Sequence, residues 1–234
     1  MPKLYLIPSL LSETDWNDVL PQKIKHVCSE TKYFIVENIR TTRRFLKKLD
    51  KEINIDELIF FELNKRTTPE EIQKSLTPLI EGQNVGLVSE AGCPGIADPG
   101  AEIVKLAHQK DIQVVPMVGP SSILLALMAS GMNGQNFAFV GYLPVKPNER
   151  VKRIKQLELK AKTEKQTQIF IETPYRNNQM TEDLLKSCNP STLLCIACDL
   201  TSENEFISTK TIKEWKNKTP DLNKRPAIFM LYHE

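Results

Sequence analysis

Residues 89–100 read SEAGCPGIADPG and hold Gly92, Gly95 and Gly100, Pro94 and Pro99, and the carboxylates Glu90 and Asp98. This composition suits a ligand held by main chain. Glycine lets the backbone approach closely, and proline stiffens it so that its N–H and C=O groups stay aimed. Asp98 directly precedes Pro99, the pattern of a helix N-cap followed by proline in the first turn. Glu90 has no such structural assignment and stays open as a chemical group. The segment lacks both the GxGxxG spacing and the Gly-Lys-Ser/Thr ending, so it does not point to a nucleotide phosphate site.

The loop follows the apolar run VGLVS (85–89) and precedes the helical pattern of residues 100–109. Further runs occur at 4–7, 33–37, 58–62 and 112–116, with helices expected near 17–28, 40–50 and 69–81. Alternating strands and helices predict a largely parallel sheet covered on both faces. In such sheets ligands bind beyond the carboxyl ends of strands, which is where residues 89–100 fall. After the turn at 117–121, ILLALMAS reads as an apolar, buried helix ended by Gly131. Strands are expected at 137–143, 167–172, 192–197, 205–209 and 227–232, the last two pairing antiparallel because too little chain separates 197 from 205 for a helical crossover. The expected architecture is α/β, two α/β domains in series, divided as 1–117 and 118–234.

The chain has 234 residues, 41% apolar and 26% charged, with a net charge of +2. These values fit a globular protein and exclude a global polyanion-attracting field, so any nucleic-acid surface is local. Residues 146–165 hold a basic cluster expected as a helix capped by Asn148, either a solvated face or a phosphate-contacting surface. The first residues form neither a signal peptide nor a membrane span, so a cytoplasmic location is expected. Five cysteines, at 28, 93, 188, 195 and 198, form no metal-ligand box. Cys195 and Cys198 lie in a strand-like run, where a spacing of three places them on opposite faces. No metal is expected.

Five ordered stretches resemble one known group. SEAGCPGIADPG is similar to SDAGTPxISDPG, and Glu37–Arg40 followed by TTRRFL to EDTRxTRxLL. VGPSS (118–122) resembles PGPSA, FVGYLPVKPNER (139–150) resembles FxGFLPxKxxxR, and IETPYR (171–176) resembles YESPHR. These are motifs of the tetrapyrrole (corrin/porphyrin) methylase superfamily, and within it of the ribosomal RNA small subunit methyltransferase I group. The resemblance implies two α/β domains with S-adenosyl-L-methionine in the cleft between them, a homodimer, and 2′-O-methylation of cytidine in the ribosomal RNA of the small ribosomal subunit. It places the donor against Pro8, Gly92, Cys93, Pro94, Ile96, Ser121, Ser122, Thr173, Pro174 and Leu200.

The same resemblance shows departures. The first-loop ATPIGN is here Ile7–Ser12, EDTR is Glu37–Arg40 with Asn38 for Asp, SDAG has Glu90 for Asp, and the strand end near Cys198–Glu205 lacks the Arg-Glu pair. Methyl transfer to a hydroxyl needs alignment and a proton acceptor. Glu90 or Glu37 could be that base, while Arg40, Arg43 or Arg176 could grip a phosphate or carboxylate; Glu90 and Arg40 are the catalytic expectation. Two alternatives accompany it: methylation of a tetrapyrrole or another small molecule, and a donor-binding module that has lost catalysis.

Overall fold

The computed structural model describes residues 1–233. The chain divides into two compact units, Met1–Ser121 and Ser122–Glu234. In the first unit, strands β1 (Lys3–Ile7), β2 (Tyr33–Val36), β3 (Ile59–Glu62), β4 (Val85–Val88) and β5 (Gln113–Pro116) form one sheet in the order β3-β2-β4-β1-β5. Every neighbouring pair is parallel, with Leu4 opposite Val85 and Lys3 opposite Gln113. Helices α1 (Gln22–Glu30), α2 (Ile39–Leu49), α3 (Pro69–Ser75), α4 (Thr77–Ile80) and α5 (Gly100–Gln109) supply the connections. One sheet face buries Ile7, Phe34 and Val36 against Ile24 and Leu46, the other Leu4, Ile35 and Leu87 against Leu76, Leu79 and Ile103. Burial on both faces explains why the inner strands β2 and β4 are continuously apolar.

The second unit contains α6 (Ser122–Ser130), β6 (Phe137–Tyr142), α7 (Pro147–Thr163), β7 (Thr167–Ile171), α8 (Asn177–Ser187), β8 (Leu193–Cys198), β9 (Phe206–Thr211), α9 (Ile212–Trp215) and β10 (Ala227–Tyr232). Its sheet runs β6-β7-β10-β8-β9; only β6 and β7 pair in parallel, and the expected antiparallel pairing of the last strands is present. Phe170, Ile196 and Phe229 meet Ile154, Leu157 and Leu184 on one face. Cys195 and Cys198 are buried thiols of β8, each raised to about 11 by burial. Among the described residues no group of His, Cys, Asp or Glu could hold a metal ion, and no helix is long and apolar enough to cross a membrane.

Four expectations are corrected. The helix expected over 17–28 is a 3-10 turn, Trp16–Asp18, followed by α1; Pro21 stands between them, and proline disfavours helical backbone at the residue before it. The helix expected over 69–81 is split into α3 and α4, since Pro78 cannot donate to a carbonyl one turn back. Asn148 does not cap α7, whose N-cap is Lys146 with Pro147 in the first turn. Helix α6 is not fully buried: Ala126, Leu127 and Ser130 are covered, while Met128 is 79% exposed. A nine-residue helix lying on β9 and β10 hides only one side, whatever the other side's composition.

Candidate functional site

The loops after β1, β2, β4 and β5 converge at the carboxyl edge of the first sheet. Ser9 N–H donates to Gly92 O at 3.0 Å, and Ser89 Oγ donates to the same carbonyl at 2.8 Å. Cys93 Sγ lies 3.5 Å from Pro120 O. A side chain on Gly92 would come within 3.0 Å of Leu11 Cδ2 and 3.2 Å of Pro120 O, and Gly92 has φ +74°. Glycine is therefore favoured there by conformation, and any side chain would also need Leu11 and the Pro120 carbonyl to give by a few tenths of an ångström. Ala97 has φ +62°, an uncommon conformation for a residue with a Cβ.

Asp98 fastens this loop. Its Oδ1 accepts Gly100 N–H at 2.7 Å, and both oxygens lie 2.9 Å from Gly95 N. The cap position of α5 is Pro99, so Asp98 stands one residue earlier than expected. It still captures a first-turn N–H, and it closes the loop as well. Burial raises its pKa, partly offset by the N–H groups of Gly100 and Gly95.

Three carboxylates gather here. Glu90 N–H donates to Glu37 Oε1 at 3.1 Å, and Thr41 Oγ1 donates to Glu90 Oε1. Val36, Glu37, Leu63, Val88, Pro94 and Asp98 line a small cavity below the loops. Burial pushes the Glu37 pKa up, the Glu90 N–H pulls it back, and the charges of Asp98 and Glu90 push it up again. A carboxyl whose folded pKa exceeds its unfolded value costs stability when ionised; the cost is full above the folded pKa and vanishes as pH falls below the unfolded one. Glu37→Gln is therefore expected to raise the urea midpoint at pH about 8, with the gain shrinking towards pH about 4.

Asn38 replaces the aspartate of the resembling motif, and its Oδ1 accepts the N–H groups of Arg40 at 2.9 Å and Thr41 at 3.2 Å. Asn and Asp cap helices about equally well. Arg40 is exposed and has no ion pair among the described residues, whereas Arg43 Nη2 meets Asp56 at 2.6 Å.

In the second unit, Thr173 and Pro174 follow β7 and Leu200 follows β8. Both strand ends flank the start of β10. Lys224 N–H donates to Pro174 O at 3.0 Å, and Arg225 Nε donates to Asp199 at 2.6 Å, so one segment braces both loops. Arg176 is engaged: its Nη2 lies 2.5 Å from Glu172 Oε1, and the Glu172 side chain is 1% exposed. Arg150, the last residue of the FVGYLPVKPNER stretch, is buried against Asp183 through Nε and Nη2, both at 2.6 Å, and donates from Nη1 to Val145 O at 2.8 Å. That motif arginine holds a loop to α8.

Of the twelve residues expected in the site, Pro8, Arg40, Glu90, Gly92, Cys93, Pro94, Ile96 and Ser121 belong to the first unit, and Ser122, Thr173, Pro174 and Leu200 to the second. Sequence reasoning passed over Ser9, whose buried Oγ has no partner among the described residues. It also passed over Thr41 and Gly119; a Cβ on Gly119 would fall 2.3 Å from Pro8 Cβ. Ile96 is 53% and Val118 76% exposed beside these loops. Main-chain loops, an orphaned buried hydroxyl and two bared aliphatic side chains fit a ligand that has polar groups and an apolar ring face.

A family model described as Tetrapyrrole (Corrin/Porphyrin) Methylases matches residues 17–216. The chain is 31% identical over 213 residues to the Ribosomal RNA small subunit methyltransferase I of Xylella fastidiosa, covering 91% of this chain and 75% of that protein. The protein of that name from Vibrio cholerae is 31% identical over 235 residues, covering 99% and 77%. The one from Halalkalibacterium halodurans is 32% identical over 182 residues, and the match spans 78% of this chain and 59% of the relative. Among solved structures, the methyltransferase CobJ superposes with a TM-score of 0.64 at 18% identity, over 99% of this chain and 98% of that one. Uroporphyrin III C-methyl transferase from Thermus thermophilus gives 0.61 at 16% identity, over 99% and 97%.

Proposed function

The chain belongs to the tetrapyrrole (corrin/porphyrin) methylase family, and from that we propose that it is an S-adenosylmethionine-dependent methyltransferase acting on a cytidine 2′-hydroxyl in small-subunit ribosomal RNA. The observation that carries the proposal is the loop junction of Ser9, Gly92 and Gly119 beside the half-buried Glu37. The acceptor class is carried over from the relatives that bear the ribosomal RNA name.

The donor would be held by main chain at Gly92–Gly95 and by Pro8, Ile96 and Ser121 of the first unit; Ser122, Thr173, Pro174 and Leu200 are the donor positions that the family resemblance implies in the second. When bound, it supplies a methyl carbon on a cationic sulfur, displaced by an incoming nucleophile with the bonding pair left on sulfur. Glu37 is the proton acceptor: burial and two neighbouring charges strengthen its hold on a proton, as a base working near neutrality needs. Its Oε2 takes the hydroxyl proton while Oε1 stays pinned by Glu90 N–H. Glu90 anchors Thr41 and so fixes the start of α2 relative to the acids. Arg40, first-turn and exposed, orients the acceptor's phosphate. The protein works as a homodimer in the cytoplasm; exposed Met128 on α6 and exposed Tyr142 and Val145 offer apolar surface for the second copy.

Two measurements test the reading. Calorimetry should show S-adenosylhomocysteine binding to the purified protein, and the protein should add one methyl group to a ribose in small subunits isolated from cells lacking that modification, located by RNA mass mapping. Absence of S-adenosylhomocysteine binding removes the enzyme assignment. Methyl transfer to a tetrapyrrole precursor with none to RNA replaces the substrate, and donor binding without turnover on either leaves a lapsed module.

A further inference from the structure

Helix α2 carries Arg40, Arg43, Arg44, Lys47 and Lys48 and no acid. Its buried stripe is Thr42, Phe45, Leu46 and Leu49, so helical periodicity places all five cations on the opposite arc, and all five are exposed. Like charges three and four residues apart repel one another. Arg40, in the first turn, also opposes the helix dipole. Lys47 and Lys48 complement the dipole in the last turn, but local stability gives no reason for Arg40, Arg43 and Arg44.

Relief by neighbouring acids is sparse. Among the described residues Arg43 alone of the five is in an ion pair, with Asp56, itself 86% exposed. Lys47 Nζ donates to Lys51 O at 2.8 Å. The stripe Arg40, Arg44, Lys48 advances one turn per step, about 6 Å, away from a helix start that Thr41 ties to Glu90 and, through Glu90 N–H, to Glu37. The other basic helix, α7, differs: Glu149 pairs with Lys146 at 3.2 Å and apolar Leu159 is 60% exposed among its lysines.

We infer that the exposed face of α2 is the RNA-docking surface, gripping consecutive backbone phosphates beside the target nucleotide. The inference rests on the RNA reading above and assigns it a surface. Arg44 and Lys48 contact phosphates without reading bases, while Arg40 contacts the phosphate nearest the acids. Contacts of this kind release counterions, so each adds a fixed increment to the salt dependence of binding.

The test measures binding of a fluorescent single-stranded RNA of about 20 nucleotides by anisotropy, from about 50 to 200 mM salt, with S-adenosylhomocysteine calorimetry on the same preparations. Arg44→Gln/Lys48→Gln should weaken binding tenfold or more and flatten the log–log salt slope by about 1.4, since each contact to a single strand contributes about 0.7. Its S-adenosylhomocysteine affinity should match wild type, as should the RNA binding of the comparison variant Lys152→Gln/Lys155→Gln. An unchanged slope in the α2 variant, or a loss confined to the α7 variant, overturns the assignment to α2 and leaves the RNA reading standing. Wild-type protein that binds S-adenosylhomocysteine but no RNA overturns both.

Discussion

Arg150→Met is expected to cost the second unit about 3–5 kcal/mol of stability, because it leaves Asp183 as a buried charge without its cation. The Arg150 and Asp183 side chains are 4% and 11% exposed, and two guanidinium nitrogens lie 2.6 Å from one carboxylate oxygen. Val145 O loses its donor as well. Gln179 Nε2, 3.1 Å from Asp183 Oδ1, remains but carries no charge. The double variant Arg150→Met/Asp183→Leu should recover most of the loss, since replacing both partners removes the unpaired charge. Urea denaturation of the three proteins checks this; a single variant as stable as wild type would show that the pair contributes nothing.

The second large effect is expected at Gly119→Ala. Its Cβ would lie 2.3 Å from Pro8 Cβ and 2.6 Å from Pro8 Cγ, atoms of a rigid ring, and 3.3 Å from Leu20 Cδ2. No rotamer change removes that overlap, so the 117–120 segment and the Pro8 loop must part, at a cost of about 1–3 kcal/mol for overpacking. The displaced loop carries Pro8 and Ser9, so S-adenosylhomocysteine affinity should fall at least tenfold. Gly134→Ala is the control: nothing lies within 4 Å of its added methyl group, and it should leave both quantities unchanged.

Most strands and helices were legible because their periodicities are local properties. The continuous apolar runs at 33–37 and 85–89 could hardly be anything but doubly covered strands, and Thr68-Pro69-Glu70-Glu71 announces a capped helix, which forms as a capping box. Misread boundaries trace to prolines embedded in helical patterns, Pro21 and Pro78. Exposure of Met128 was hidden because composition shows which residues could be buried, not what covers them. At the candidate site, the glycine-rich loop was readable, and so was the role of Asp98, displaced by one residue. Gly119 against Pro8, Thr41 against Glu90 and Arg150 against Asp183 were not: each joins residues 33 to 111 positions apart, and no local pattern encodes such partners.

The strand order of the first sheet bears on how the protein is made. Strand β1 is synthesised first yet lies between β4 and β5, its partners Val85 and Gln113 arriving roughly 80 and 110 residues later. At about 5–20 residues per second on the ribosome, its second neighbour appears about 5–20 s after it emerges. Until β4 emerges LYLI has both strand edges open, and until β5 emerges one, the condition under which nascent chains aggregate or occupy chaperones.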